Sequence, residues 1–350
     1  MQLYNNLSNN ERTLLIQKAG KDRLTLSFYK YANIINTTIF RNHLFLFWDS
    51  IDVLGRIYIA NEGINAQLSL PAENFKLFKN HLDSISFLVG VRINIAIEHN
   101  IFSFLKLKIK VRNKIVSDGL KDSTFDVANT GTHVSAAKFN QLIEDEDAVV
   151  VDMRNHYESE IGHFKNAVTP NVDTFRDSLD LIEKQLKDQK SSKKLVMYCT
   201  GGIRCEKASA YYKHKGFKEV FQLEGGIINY KRQVDQLGIE NKFIGKNFVF
   251  DERRAEKISD DMIAQCHQCG APADIHVNCA NDACHLLFIQ CDSCKVEMEN
   301  CCSLKCMDIN RLPSKEQKTL RKGQGNSNGI FKKGRSKNLK YKDNNIFLTP

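Results

Sequence analysis

The stretch LVMYCTGGIRCEKASAYY, residues 195–212, decides the fold of the middle of this 350-residue chain. An apolar run as far as Tyr198 predicts a buried strand, two glycines then predict a tight loop, and a helical pattern begins at Arg204. Cys199 therefore stands where a strand passes through a loop into a helix. Strand and helix patterns alternate over residues 148–237, which predicts right-handed crossovers and a mainly parallel sheet.

Cys199 is a candidate nucleophile because of this position. Backbone N–H groups of the loop and of the first helical turn favour an anion, and Arg204 adds a positive charge, so both stabilise the thiolate. The alternative is a buried structural cysteine beside a turn. The paired glycines and the arginine favour the nucleophile. The other residues of the predicted active-site loop are Thr200, Gly201, Gly202 and Ile203.

Length and composition indicate a globular protein of two or three domains. Hydrophobic residues make up 42% of the chain and charged residues 26%. No apolar run approaches the length of a membrane span, and the N-terminal residues lack the pattern of a secretory signal. We therefore expect a cytoplasmic protein with no membrane partner.

Most of the net charge of +9 lies in the last part of the chain. Residues 313–350 contain ten Lys or Arg and two acidic residues, a net charge of +8, around the segment GQGNSNG. This composition predicts a basic tail without ordered structure. Such a tail is either an arm that binds nucleic acid or a solubilising terminus.

The first 120 residues predict a ferredoxin-like, acylphosphatase-like sandwich of helices on an antiparallel sheet. Strand patterns occupy residues 23–31, 54–70 and 91–98, and helix patterns occupy 40–51 and 71–85.

A basic strand pattern follows at residues 104–114. Alternation places four basic side chains on one face of that strand, which is either simply solvated or a candidate contact for a phosphate backbone. These candidate substrate contacts are Lys106, Lys108, Lys110 and Arg112.

Nine of the eleven cysteines fall between Cys266 and Cys306, and in a reducing compartment such crowding favours metal over disulfides. Eight ligands suit two tetrahedral structural zinc ions. The alternative is a single zinc ribbon built from the two CxxC pairs. The candidate ligands are Cys266, Cys269, Cys291 and Cys294 for one ion, and Cys279, Cys284, Cys302 (or Cys301) and Cys306 for the other. We expect the metal to hold this segment folded.

Residues 136–237 resemble a rhodanese domain. The resemblance rests on VVDMRNHYESEIGHFKNAV (150–168), on the active-site stretch and on VFQLEGGI (220–227). It implies a catalytic thiolate at Cys199, which in such domains often carries sulfur as a persulfide. Four residues separate Cys199 from Arg204, whereas the related phosphatase loop has five, so the tighter loop disfavours phosphatase activity.

The whole chain is similar to the bacterial tRNA uridine hydroxylases. The similarity adds IYIANEGINAQLSLP (57–71) and the cysteine-rich segment with NCANDACHLLFIQC (278–291) to the rhodanese motifs. It implies conversion of the wobble uridine in the tRNA anticodon loop to 5-hydroxyuridine with molecular oxygen as co-substrate, and it implies that Cys199 is essential.

No cofactor motif for oxygen activation accompanies this resemblance. The chain has no GxGxxG segment after a strand, so no flavin or nicotinamide site is indicated, and His267, His276 and His285 do not make an evident iron site. We therefore hypothesise that Cys199 adds to C6 of the uracil, which raises the electron density at C5 for reaction with oxygen. Arg204 and the loop N–H groups would stabilise the charge that develops.

Other interpretations remain open from the sequence. Arg154 is either a substrate contact or the partner of a carboxylate such as Asp152. The chain is a sulfurtransferase or a non-catalytic RNA-binding protein if the hydroxylase resemblance misleads. The expected division is a ferredoxin-like domain over 1–120, a rhodanese domain over 121–245, a zinc-binding domain over 246–312 and the basic tail over 313–350.

Overall fold

The computed structural model describes residues 7–120, 125–322 and 339. The chain divides into two compact units, the first comprising Met1–Arg154, Asn166–Lys242 and Val249–Glu256, and the second Asn155–Lys165, Phe243–Phe248 and Lys257–Pro350. The helices are α1 Asn9–Ala19, α2 Thr37–Ser50, α3 Phe75–Asp83, α4 Ala136–Ile143, α5 His156–Ser159, α6 Phe175–Gln185, α7 Ile203–His214, α8 Gly226–Leu237, α9 Asp292–Glu297, α10 Leu304–Arg311 and α11 Ser314–Arg321. The strands are β1 Arg23–Tyr31, β2 Leu54–Ala60, β3 Gly63–Pro71, β4 Asn94–Ile95, β5 Leu107–Val111, β6 Thr132–Val134, β7 Ala148–Asp152, β8 Gly162–Phe164, β9 Lys194–Tyr198, β10 Glu219–Leu223, β11 Phe243–Phe248, β12 Ala255–Lys257, β13 His276–Asn278 and β14 Leu287–Ile289.

The first unit contains a five-stranded sheet in the order β4-β1-β3-β2-β5. Its strands pair antiparallel, except that β5 runs parallel to β2. Helices α2 and α3 cover one face, where Trp48, Phe28 and Phe78 are fully buried and pack edge to face or tilted against one another. This sandwich agrees with the ferredoxin-like fold predicted for the N-terminal part.

Alternation along β1 gives this sheet two different faces. Leu26 and Phe28 point into the core beneath the helices, whereas Ser27, Tyr29 and Tyr31 are half-buried and belong to the opposite face. A strand with one apolar and one polar face places its polar side chains where another part of the molecule or a ligand can meet them.

The same unit contains a four-stranded parallel sheet in the order β6-β10-β9-β7. The alternation of strand and helix predicted this parallel α/β arrangement, and it is confirmed. Strand β9 is central and buried, because its neighbours on both sides are strands and α7 packs against it. Cys199 directly follows the carboxyl end of β9, and it therefore lies at the edge of the sheet where parallel α/β folds form their ligand-binding sites.

The second unit contains two short antiparallel pairs, β8 with β11 and β13 with β14. The core around the second pair consists of a few apolar side chains together with cysteines. Its buried members include Leu286, Phe288, Cys279 and Cys302. A core this small gives a segment little stability without a covalent or metal crosslink.

Some elements differ from the prediction. The strand expected at 91–98 is only Asn94–Ile95 long. Strand β6 lies before residues 148–237, where the alternation of strands and helices was predicted, and it pairs with β10 over three residues. Helix α1 was not predicted because Ile16 is its one buried residue, so it lacks an apolar stripe. Helix α11 lies at the start of the segment predicted to have no ordered structure. Residues 323–338 and 340–350 of that tail fall outside the described residues.

Within residues 7–120 and 125–322, no helix is long and apolar enough to cross a membrane.

Candidate active site

The loop after β9 curls around the sulfur of Cys199. Gly202 adopts a φ of 101°, a left-handed conformation that favours glycine, and the backbone then enters α7. In this conformation the Gly202 N–H donates a hydrogen bond to Cys199 Sγ at 3.1 Å. The side chain of Cys199 is fully buried, so the loop and its surroundings enclose the sulfur.

The environment of Cys199 stabilises its thiolate. Burial by itself opposes ionisation, but the Cys205 thiol, the Arg204 charge and the backbone N–H groups of both residues outweigh it and lower the pKa of Cys199 to about 6. The pKa of Cys205 is raised well above its ordinary value, because that thiol is buried and donates to Cys199. The two cysteines therefore divide into one thiolate and one protonated donor.

The start of α8 fixes the other side of the loop. The Ile227 N–H donates to the Cys199 carbonyl oxygen at 3.0 Å, and the Ile228 N–H lies 3.3 Å from the Thr200 carbonyl oxygen. Gly226 permits this approach, since a Cβ there would lie 2.5 Å from the Cys199 carbonyl oxygen. The glycine pair of the VFQLEGGI motif thus holds the active-site loop in place.

Residues of the N-terminal sheet cover the loop within the same unit. Tyr29 Oη donates a hydrogen bond to Glu206 Oε1 at 2.9 Å, and it would lie 2.9 Å from a Cβ placed on Gly202. Asn94 Nδ2 donates a hydrogen bond to the Gly201 carbonyl oxygen at 3.3 Å. Sequence reasoning missed Tyr29, Asn94 and Glu206 as site residues. The alternation of polar and aromatic residues in β1 was the one available signal for Tyr29.

A buried lysine of α7, Lys207, makes a second set of contacts with the N-terminal part of the chain. Lys207 Nζ lies 2.7 Å from Glu62 Oε2 and 3.3 Å from Asp118 Oδ2, and it stands over the Tyr31 ring at 5.6 Å. Both Lys207 and Asp118 are fully buried, so their charges depend on each other. The helix that carries Arg204 is therefore fixed by ion pairs far apart in sequence.

The candidate substrate contacts differ in their exposure to solvent. Arg154 is fully buried, with Nη2 2.6 Å from Asp152 Oδ2 and its guanidinium over the Tyr198 ring. This pairing is the arrangement that the structural interpretation of Arg154 expected. Of the basic strand residues, Lys108, Lys110 and Arg112 are exposed and Lys106 is half-buried.

The eight candidate metal ligands lie in two groups of four in the second unit. In each group the four Sγ atoms lie within 4.8 Å of one another. The first group is Cys266, Cys269, Cys291 and Cys294, and the second is Cys279, Cys284, Cys302 and Cys306. Cys301 is buried and belongs to neither group, so Cys302 is the member of the adjacent pair that faces the second group.

Family models match most of the chain in three segments. The UPF0176 acylphosphatase like domain matches residues 23–115, the Rhodanese-like domain matches 135–233, and the model named Rhodanase C-terminal matches 244–307. A solved rhodanese-like domain protein from Staphylococcus aureus is 24% identical with a TM-score of 0.24, covers 28% of this chain and 90% of that chain, and is too distant to add to the assignment.

Curated relatives cover nearly the full chain. A tRNA uridine(34) hydroxylase from Leptospira interrogans is 52% identical over 91% of this chain and 87% of its own length. Proteins with the same name from Photorhabdus laumondii and Salmonella heidelberg are 50% and 49% identical over 95% and 96% of this chain, and over 95% and 96% of their own lengths. The expected resemblance is therefore confirmed, and this chain belongs to the tRNA uridine(34) hydroxylase family.

Proposed function

We propose that this protein hydroxylates uridine 34, the wobble uridine of the tRNA anticodon, at C5 to give 5-hydroxyuridine. The observation that carries the proposal is an intact thiolate loop at Cys199 in a chain about half identical to tRNA uridine(34) hydroxylases along nearly its whole length. A tRNA substrate makes the cytoplasm the expected place of action. The division expected from the sequence, into three domains over 1–120, 121–245 and 246–312 and a basic tail over 313–350, remains part of the proposal.

The proposed chemistry begins with Cys199. The thiolate forms a bond to C6 of the uracil, the C5–C6 double bond opens, and negative charge develops at C5 and O4. The Arg204 guanidinium and the loop N–H groups stabilise the thiolate before this step and the oxyanion after it. Expulsion of the thiolate from C6, with loss of the C5 proton, restores the aromatic ring at the end.

Molecular oxygen is the proposed source of the new hydroxyl. One oxygen atom enters at C5 and the other leaves as water, which consumes two electrons and two protons. The reaction therefore also requires a two-electron reductant as a co-reactant, such as two thiols that are oxidised to a disulfide. The activated C5 carbon of the covalent adduct is the electron-rich centre that reacts with oxygen.

We propose that the two cysteine groups hold structural zinc ions. A tetrahedral zinc with sulfur ligands at about 2.3 Å requires sulfur atoms about 3.8 Å apart. The distances Cys269 Sγ to Cys291 Sγ, 3.6 Å, and Cys284 Sγ to Cys302 Sγ, 3.7 Å, fit that requirement. All four positions of each tetrahedron are occupied by protein sulfur, which is typical of zinc that folds a domain rather than of zinc that activates water.

The basic face of β5 is the proposed contact for the tRNA backbone. Lys106, Lys108, Lys110 and Arg112 make no salt bridge within the described part of the chain, and Arg112 stands over the Tyr58 ring. Unpaired cations beside an aromatic side chain suit phosphate and base together. Arg154 supports the edge of the parallel sheet rather than the tRNA backbone in this proposal, because its guanidinium is buried against Asp152.

The test is nucleoside mass spectrometry of unmodified tRNA incubated with the protein, a thiol reductant and labelled oxygen gas. The wild type should form 5-hydroxyuridine that carries the label, and Cys199→Ser should form none. Cys301→Ala is the matched control, because Cys301 is a buried cysteine outside the loop and outside both cysteine groups, and it should retain activity.

A sulfurtransferase is the second candidate, because a thiolate with a pKa of about 6 also suits persulfide transfer. If thiosulfate loads a persulfide on Cys199 and no hydroxyuridine forms, that function replaces the first. If neither product forms while tRNA binds, the chain is an RNA-binding protein.

A further inference from the structure

A row of polar side chains crosses the N-terminal sheet on the face opposite its helices. The register pairs Asn94 of β4 with Ser27 of β1, Ser27 with Gln67 of β3, Gln67 with Arg56 of β2, and Arg56 with Lys108 of β5. Directly paired residues point to the same face of a sheet, and neighbouring strands lie about 4.8 Å apart, so the row is about 19 Å long.

The two ends of this row differ in chemistry. At one end Asn94 Nδ2 donates to the carbonyl oxygen of Gly201 in the active-site loop. At the other end Arg56 and Lys108 are exposed cations. The row therefore leads from a cluster of positive charge directly to the loop that holds Cys199.

Two adjoining cavities lie along the row. The first, of about 40 Å³, is lined by Ser27, Gln67, Asn94 and Thr200 among others, and the second, of about 90 Å³, by Arg56, Lys106 and Lys108 among others. Phe104 lines both cavities. A water molecule needs about 10–15 Å³, so the first cavity has room for about three water-sized groups beside Phe104.

The polar side chains along the row have hydrogen-bond donors and acceptors that are not used within the described residues. Within residues 7–120 and 125–322, the side chains of Ser27 and Gln67 make no hydrogen bond, and Asn94 uses only its Nδ2 group. An amide, a hydroxyl and an amide oxygen together offer donors and acceptors to the hydrogen-bonding edge of a nucleobase.

Positive charge accumulates at the far end without acidic partners. Arg56 and Lys108 have no carboxylate within salt-bridge distance in the described part of the molecule, and burial together with Arg56, Lys106 and Lys110 lowers the pKa of Lys108. Asp251 lines both cavities but is paired with Arg253. The exposed acidic residues near this end are Glu252, at the margin of the second cavity, and Glu11, which interacts with Lys106. Mutually repelling cations of this kind are stabilised by an anion such as a phosphodiester.

We infer that this row binds the single-stranded RNA that adjoins the reacting uridine. Ser27, Gln67 and Asn94 bind the edge of one neighbouring base in the smaller cavity, and Arg56 and Lys108 bind backbone phosphates of the same strand. The inference rests on the proposed function, because it takes the anticodon loop as the ligand. The reacting uridine then reaches the Cys199 loop from a strand already fixed on the sheet.

Binding of an anticodon stem-loop RNA, measured by fluorescence anisotropy at several salt concentrations, tests the phosphate contacts. Arg56→Ala and Lys108→Ala should each weaken binding about tenfold and reduce the salt slope by about 0.7. Lys76→Ala, which removes an exposed charge from α3 on the other face, should leave both unchanged. Glu252→Gln should tighten binding, because it removes the negative charge beside the second cavity.

A double-mutant cycle between protein and RNA tests the base contact. Gln67→Met keeps the side-chain volume and removes the hydrogen bonds, and it should weaken binding about tenfold. At one loop position next to the reacting uridine, an abasic nucleotide should cause a similar loss in the wild type but little further loss in Gln67→Met.

The outcomes separate this inference from the proposed function. If the variants of Gln67, Arg56 and Lys108 bind like Lys76→Ala, and no abasic position couples to Gln67→Met, the inference is wrong even if 5-hydroxyuridine forms. If the wild type forms no 5-hydroxyuridine but these variants lose RNA affinity as described, the row stands as an RNA-binding site and the proposed function fails. Thermal unfolding of each variant shows that a loss of affinity does not come from misfolding.

Discussion

Replacement of Arg204 by glutamine (Arg204→Gln) should raise the pKa of the Cys199 thiol. In the wild type a hydrogen bond from the Cys205 thiol, the Arg204 charge and backbone hydrogen bonds lower that pKa to about 6 despite complete burial. An opposite charge within a few ångströms typically lowers the pKa of an acid by one to three pH units, and here it shares the effect with hydrogen bonds. We therefore expect a rise of about one to two pH units, to between about 7 and 8.

The change is large at neutral pH. A thiol with a pKa of about 6 is about nine-tenths ionised near pH 7, whereas a pKa between about 7 and 8 leaves only about half to one-tenth as thiolate. In free energy this is about 1.4 to 2.7 kcal/mol of lost thiolate stabilisation. The rate of any reaction of the thiolate should fall about two- to tenfold near neutral pH, as the thiolate fraction does, and should recover at alkaline pH.

The interaction of Arg204 with the Cys199 thiolate should also make the stability of the folded protein depend on pH. The folded pKa of Cys199 lies below the ordinary thiol value of 9.0, so its contribution to stability is complete above that value and is lost as the pH falls through about 6. Arg204→Gln should therefore destabilise the protein more at pH near 9 than at pH near 5.

The assay is a pH titration of thiolate absorbance in the ultraviolet, taken as the difference between each protein and the same protein with Cys199→Ser. Arg204→Lys keeps the charge and is the control, with a pKa expected close to that of the wild type. A pKa that stays near 6 in Arg204→Gln would show that the Arg204 charge does not lower the pKa of Cys199. The hydrogen bonds from Cys205 and Gly202 would then be sufficient for ionisation.

Three further changes test other parts of the structure. Lys207→Met should destabilise the protein by about 3 kcal/mol in denaturant unfolding, because it leaves Glu62 without its cation and Asp118 with Lys114 alone; a loss below about 1 kcal/mol would show that water already screens the cluster. Gly226→Ala should abolish hydroxylation and lower the melting temperature, because its Cβ would overlap the Cys199 carbonyl oxygen at a φ of 67°. Cys279→Ser should reduce the zinc content measured by native mass spectrometry from two ions to one, whereas no change would exclude this cysteine as a ligand.

The loop around Cys199 could be predicted from the sequence because the residues that shape it are neighbours in the chain. An apolar strand, two glycines and a helix with Arg204 at its first turn lie within ten residues, so the position of the thiol relative to the helix follows from short-range geometry. The cysteine groups are accessible for a related reason, since CxxC spacing itself places two sulfur atoms on one metal. The parallel sheet followed from the regular alternation of strand and helix.

The sequence alone therefore predicted Cys199 as the candidate nucleophile, the fold classes and the cysteines as candidate metal ligands. The tertiary structure decided what surrounds the nucleophile: Tyr29 and Asn94, more than a hundred residues before the loop, reach Glu206 and Gly201, and Lys207 joins carboxylates of the N-terminal part. It also decided that five polar residues on separate strands form one row. The physical reason is that pairing register and domain packing depend on contacts between distant segments, whose free energies no local pattern encodes.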